Sequence, residues 1–222
     1  MVKFRVWGVL RYLSHAEMLG TLQRACVRAG INVRYSQGFN PRPKLSLPLP
    51  RPVGVESDDE VLSLRVNRGT VGWGLPHHCQ VGGAGPALRR IESRLSAQLP
   101  KGCELISVSV AESSASIQPL SATYFLPIRL EHLNDALRAT IDRLLASESL
   151  TVRRKSGAGG RKVKNIDVRG FLTSIQMTDE GIIVECKISP AGSIRVDEVL
   201  SLLQLDQGML AGPIRRTSVQ WQ

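Results

Sequence analysis

Aromatic side chains make up only 5% of the 222 residues, and no stretch has the Lys/Arg-Gly-aromatic strand of an RNA-recognition motif. If RNA is a ligand, that scarcity favours recognition of backbone and shape over a row of stacked bases. Cysteine is sparse too. Cys26, Cys79, Cys103 and Cys186 form no Cys-x-x-Cys pair, so a zinc ribbon, a redox dithiol and a cysteine-held iron–sulfur cluster are unsupported. Cys26 and Cys186 fall in apolar patterns and read as small core hydrophobes. No apolar run approaches the roughly eighteen residues that a membrane helix needs. Met1-Val2-Lys3-Phe4-Arg5 also lacks the apolar region of a secretory leader. The expectation is a cytoplasmic protein with no membrane partner.

Acidic residues are missing from two places. Residues 1–51 hold nine Lys/Arg and one acid, and residues 150–170 hold seven against one. The net charge of +10 is thus localised, a pattern that favours a polyanion-binding face over general solubility. An apolar share of 42% and a mean hydropathy near zero describe a globular chain able to build a core.

Proline is concentrated in one place. Five of its twelve prolines fall within residues 41–52, so the stretch Arg34 to Pro52 is neither helix nor central strand. Gly38 permits a left-handed turn and Asn40-Pro41 favours turn initiation. The prediction is a stiff loop over residues 36–54 that presents Gln37, Asn40, Arg42 and Lys44 at low entropic cost to an anion or a nucleic acid. A proline-rich connection with solvated charges is the plain alternative.

Around this loop, Val2–Trp7 alternates as a strand. Ser14-His15-Ala16-Glu17 is a capping box. Met18, Leu22, Cys26 and Ala29 then mark an amphipathic helix closed by Gly30. Ile31–Tyr35 and Glu60–Val66 read as strands, Pro86–Leu99 as a helix and Glu104–Val110 as a strand; residues 67–86 read as an irregular excursion. Residues 111–121, rich in Ser and Ala, read as a linker. The order then repeats. A strand over Thr123–Leu130 and a helix on Leu133, Leu137, Ile141, Leu144 and Leu145 lead to a short strand at Leu150–Arg153. A basic loop over 153–165 follows, then a hairpin around Asp179-Glu180-Gly181, a helix from Val196 and a last strand at Thr217–Trp221. The predicted fold is α+β, two tandem ferredoxin-like β-α-β-β-α-β domains over residues 1–110 and 122–222.

His15 is the candidate catalytic residue. It opens a helix, where the positive end favours the neutral imidazole, and Arg11 with the proline loop would hold a phosphate while His15 deprotonates a ribose hydroxyl. Alternatively His15 simply braces the loop. His77-His78-Cys79 offers no tetrahedral set, so no metal is expected. Gly157-Ala158-Gly159-Gly160-Arg161-Lys162 lacks the Gly-x-x-x-x-Gly-Lys-Ser/Thr pattern and reads as a mobile basic loop. The candidate RNA-binding residues are Arg11, Arg34, Gln37, Asn40, Arg42, Lys44, Arg153, Arg154, Lys155, Arg161, Lys162 and Lys164; no cofactor is implied.

At Leu13-Ser14-His15, at Ser36 to Ser46 and at Gly54-Val55-Glu56-Ser57 the chain resembles a bacterial, DUF-type, radical-SAM-linked domain family. Asn165 to Arg169, Gly192 to Leu200 and Arg216-Thr217 continue the resemblance. Such domains occur fused to or beside cobalamin-binding radical SAM proteins and near ribonuclease E/G genes. The resemblance implies an accessory role, since the radical SAM cluster motif itself is absent. The family more often has His where this chain has Arg42, which weakens any two-histidine mechanism. The paired fold is also similar to RAMP proteins that process CRISPR repeats, a likeness of fold. Three readings follow. The first is an RNA-binding accessory protein for a radical SAM or other RNA-modifying or processing partner. The second is a protein–protein adaptor for a radical SAM enzyme, and the third is a metal-independent endoribonuclease.

Overall fold

Burial alternates along Val2–Val6 (β1): Val2, Phe4 and Val6 point inward and Lys3 and Arg5 outward, as period-2 patterning requires. The structure, a computed structural model, describes residues 1–67, 85–110, 117–156 and 162–222. It divides into two units, Met1–Gln118 and Pro119–Gln222, each a mixture of helices and strands. Residues 68–84, 111–116 and 157–161 are outside the described residues, and with them His77, His78, Cys79, Arg161, most of the expected linker and the glycine run.

In the first unit, His15–Arg28 (α1) begins at the expected capping box. The Ser14 hydroxyl accepts from the Glu17 amide, and the Glu17 carboxylate accepts from the Ser14 amide and hydroxyl, which holds the Glu17 carboxyl below its usual value. Leu45–Ser46 (β2), Glu56–Leu64 (β3), Pro86–Ser96 (α2) and Cys103–Val108 (β4) complete the unit. The strands lie in the order β4-β1-β3-β2, every pair antiparallel. Val2, Phe4 and Val6 of β1 pack with Met18, Leu22, Ala25 and Cys26 of α1, Leu95 of α2, Leu62 of β3 and Cys103 of β4 in one core. Burial of this kind is the main stabilising term, about 25 cal/mol per Å² of apolar surface.

The strand expected at Ile31–Tyr35 is not formed. Val33 and Tyr35 make only isolated bridges, to Val66 and Pro43, and the paired second strand is β2. The reason is local: the Arg34 amide donates to the Arg65 carbonyl and the Arg42 amide to the Ser36 hydroxyl instead of returning across the Tyr35–Pro43 bridge, so the ladder does not propagate.

The second unit begins with Pro119–Pro127 (β5), inside the stretch expected as linker; Ser121 and Ala122 are already buried and paired with Lys187 and Cys186. Asp135–Ala146 (α3), capped by Asn134, buries Leu137, Ile141 and Leu144. Next come Thr151–Ser156 (β6) and Lys162–Asp167 (β7), then Leu172–Thr178 (β8), Gly181–Ser189 (β9), Gly192–Ser193 (β10), Val196–Leu202 (α4) and Arg215–Trp221 (β11). β8, β9, β5 and β11 lie side by side in that order, all antiparallel, and β10 pairs with the end of β9. The β8–β9 turn needs Gly181, because a Cβ there would meet the Leu126 carbonyl oxygen at 2.1 Å. Of the basic segment 153–165, expected as a loop, residues 153–156 and 162–165 lie instead in a two-stranded ribbon of β6 and β7 with six paired positions, Thr151↔Asp167 to Ser156↔Lys162. Along β6 Val152 and Arg154 turn inward while Thr151 and Arg153 are exposed, the alternation of a strand.

Candidate functional site

The proline-rich stretch folds back on itself through its own backbone. Ser36 N–H donates to the Arg42 carbonyl (2.8 Å), and Arg42 N–H donates to the Ser36 hydroxyl (2.9 Å). Below this closure, Lys44 N–H donates to Arg34 (2.7 Å), Arg34 N–H to Arg65 (2.7 Å) and Arg65 N–H to Lys44 (2.9 Å). Gly38 turns the chain at φ 130°, a conformation closed to most side chains. Gln37, Phe39, Asn40, Pro41 and Arg42 are exposed on the resulting loop, Arg34 is exposed at its base and Lys44 is half-buried there. Phe39 is wholly exposed, and Tyr35 is 45% exposed at the base.

Nearby cations have different roles. Arg11 donates to the Gly8 carbonyl (3.1 Å) and the Tyr12 hydroxyl (2.8 Å), lies over the Tyr12 ring and stands 3.5 Å from Glu56. Arg51, in the same prolines, is buried; it donates to the carbonyls of Leu10, Arg11 and Val55 and stands 3.9 Å from buried Glu60. Arg11 and Arg51 therefore brace the chain between β1 and β3. His15 is exposed at the first position of α1, on the rim of a small hollow lined by Phe4, Val6, Met18, Leu47, Arg51 and Glu60. Among the described residues its imidazole has no hydrogen-bond partner, and the two charged groups of the hollow face each other.

The ribbon of the second unit is held by one buried ion pair. Arg154 donates through Nε and Nη2 to both oxygens of Glu198 on α4 (2.6 and 2.7 Å) and through Nη2 to the Ser193 carbonyl (2.6 Å). Burial raises the Glu198 carboxyl, but the Arg154 guanidinium and the Arg195 amide outweigh it and hold the carboxyl below its usual value; the same bond raises Arg154. Arg153 and Lys164 are exposed on the ribbon, as is Asn165 opposite Arg153. Lys155 and Lys162 occupy paired backbone positions near its end.

Several residues of the sequence motifs are structural. Asp167 accepts the amides of Arg169 and Leu150, which lowers its carboxyl, and Arg169 donates to the carbonyls of Ser147, Leu172 and Leu145, closing the end of α3. The cysteines among the described residues, Cys26, Cys103 and Cys186, are free and buried; desolvation pushes their thiols up to about 11, 12 and 12, outside the range of a working thiolate. Among the described residues no three His, Cys, Asp or Glu side chains gather where they could hold a metal ion. No helix among them is long and apolar enough to cross a membrane.

Two sets of cations stand on these two elements: exposed Arg34 and Arg42 with half-buried Lys44 around the closed loop, and exposed Arg153 and Lys164 on the ribbon. Among the described residues none of these five makes an ion pair. Sequence reasoning missed Phe39 as a presented group and Arg51, Glu60 and Glu198 as braces. The signal for Phe39 was present: an aromatic between Gly38 and Asn40 belongs to no strand or helix period.

Fold and surfaces together define a basic α+β protein of two units, each carrying a projecting cationic element. The chain belongs to a bacterial family described as "Uncharacterized protein conserved in bacteria (DUF2344)", whose profile matches residues 1–76 and 79–201. No curated protein matches the chain.

Proposed function

We propose that the protein binds structured RNA and serves as an accessory to an RNA-modifying or RNA-processing enzyme. The observation that carries this reading is the sorting of the arginines. Arg11, Arg51, Arg154 and Arg169 bind groups of their own unit, whereas Arg34, Arg42 and Arg153 stand exposed on projecting elements, with no acidic partner among the described residues. Cations displayed in this way suit phosphates, the groups that a structured RNA presents along its backbone. The strand orders β4-β1-β3-β2 and β11-β5-β9-β8 support reading the units as two ferredoxin-like domains, a scaffold shared with RAMP proteins. For the partner, the resemblance of Ser36 to Ser46 to radical-SAM-linked domains supports a radical SAM enzyme that acts on the bound RNA.

The test is the salt dependence of RNA affinity. Binding to a stem-loop RNA falls steeply with rising salt as phosphate contacts release counterions. A protein that co-purifies with a partner enzyme but binds no RNA at low salt would replace this reading with that of a protein adaptor.

A further inference from the structure

A phenylalanine with no packing partner is a costly feature for a closed, proline-stiffened loop to keep. Phe39 is exposed over its whole surface, and its position is fixed close to the backbone. The Ser36–Arg42 pair of hydrogen bonds, one to a carbonyl and one to the short Ser36 hydroxyl, the Gly38 turn and Pro41 hold it. The side chains around it are amides and cations: Gln37, Asn40 and Arg42 are exposed on the same loop, with Arg34 below. An apolar socket in a protein partner would gain nothing from this polar setting, whereas a nucleotide offers all three complements at once. Its base has a π-face, its edge has donors and acceptors for Gln37 and Asn40, and its phosphate matches Arg42.

Resting on the RNA reading above, we infer that Phe39 stacks on a single unpaired base of the bound RNA and so makes the loop select looped or bulged RNA over continuous duplex. Within residues 36–54 Phe39 is the one aromatic, so the loop itself offers a single stacking face and not a row. A base inside a duplex has both faces covered and presents no such partner. Arg42 and Lys44 then supply affinity without preference, and Phe39 supplies the preference.

The test compares two RNA probes, a stem closed by a single-stranded loop and the same stem as a blunt duplex, with wild type, Phe39→Ala and Phe39→Trp. Wild type binds the stem-loop more tightly. Phe39→Ala weakens stem-loop binding about tenfold, leaves duplex binding and the salt slope unchanged, and Phe39→Trp restores the preference. The melting temperature stays constant because Phe39 packs on nothing. Equal weakening on both probes, or none on either, overturns the stacking role while the RNA reading stands. Wild type that binds neither probe at low salt overturns both. A third probe is vesicles of phosphatidylcholine and phosphatidylserine: Phe39-dependent sedimentation with them, alongside RNA binding indifferent to Phe39, assigns the side chain to a lipid surface and overturns the inference.

Discussion

The closed loop of the first unit and the ribbon of the second both lift cations away from the body of the chain, but different forces hold them. The loop is fixed by main-chain amides, the Ser36 hydroxyl and proline rings, so its charged side chains have no structural duty and can be removed without loosening it. The ribbon depends on a charged side chain of its own: Arg154 anchors it to Glu198, while its neighbour Arg153 points to solvent. On a ribbon, alternation turns successive arginines to opposite faces. One run, Arg153-Arg154, therefore carries one binding residue and one anchor. In the loop, binding and anchoring fall to different chemical groups altogether.

The largest effect that separates the two elements is on stability. Glu198→Ala leaves the Arg154 guanidinium without its acceptor, and the second unit loses about 3 kcal/mol of unfolding free energy in urea titration. Loss of less than about 1 kcal/mol would show that the ribbon is held by its backbone, as the loop is. The anchor also titrates. Because the folded carboxyl is held below its ordinary 4.5, the contribution is complete above that pH and is lost as pH falls through the lower folded value. Wild type and Glu198→Ala should therefore differ in stability at neutral pH and converge only in acid, whereas loop variants should show no such pH dependence.

Next in size are the effects on RNA. Replacing Arg42 and Lys44 with Ala, or Arg153 and Lys164 with Ala, should each make the salt slope of binding shallower by roughly 1 to 2 units. The melting temperature should change little, since exposed charges contribute little to folding. Arg138 and Arg143 on α3, both exposed, serve as the charge-matched control. Weakening of equal size by all three pairs would mean that only net charge matters, and neither element would then be a site. A shallower slope from one pair alone would make that element the interface.

Smaller still is the effect of Ser36→Ala, which removes the acceptor of the Arg42 amide. Faster hydrogen exchange at Arg42 is expected, with under about 1 kcal/mol lost. Unchanged exchange there would show that the prolines alone close the loop. The smallest effect is that of His15→Ala. RNA incubated with wild type in EDTA should stay intact, and the variant should bind as wild type does. Cyclic-phosphate ends that vanish in His15→Ala would make the hollow beside α1 a nuclease site and reduce the loop and ribbon to its substrate clamps.

The sequence by itself determined whatever rests on neighbours along the chain. The capping box of Ser14 and Glu17, the buried face of α1, the alternation of β1, the β8–β9 hairpin and the irregular proline stretch were all legible, because each is decided within a turn or a few alternating positions. Ile31–Tyr35 misled because its pattern is that of a strand while the amides beside its bridge to Pro43 donate elsewhere, Arg34 to Arg65 and Arg42 to the Ser36 hydroxyl. Only the tertiary structure decided which cations face solvent. Arg51 reaches back to the carbonyls of Leu10 and Arg11, and Arg154 reaches forward to Glu198, partners some forty positions distant in sequence. A basic residue that braces the fold and one that can meet a phosphate have the same charge in the sequence. They part company when folding brings a distant carbonyl or carboxylate within about 3 Å of one and leaves the other to water.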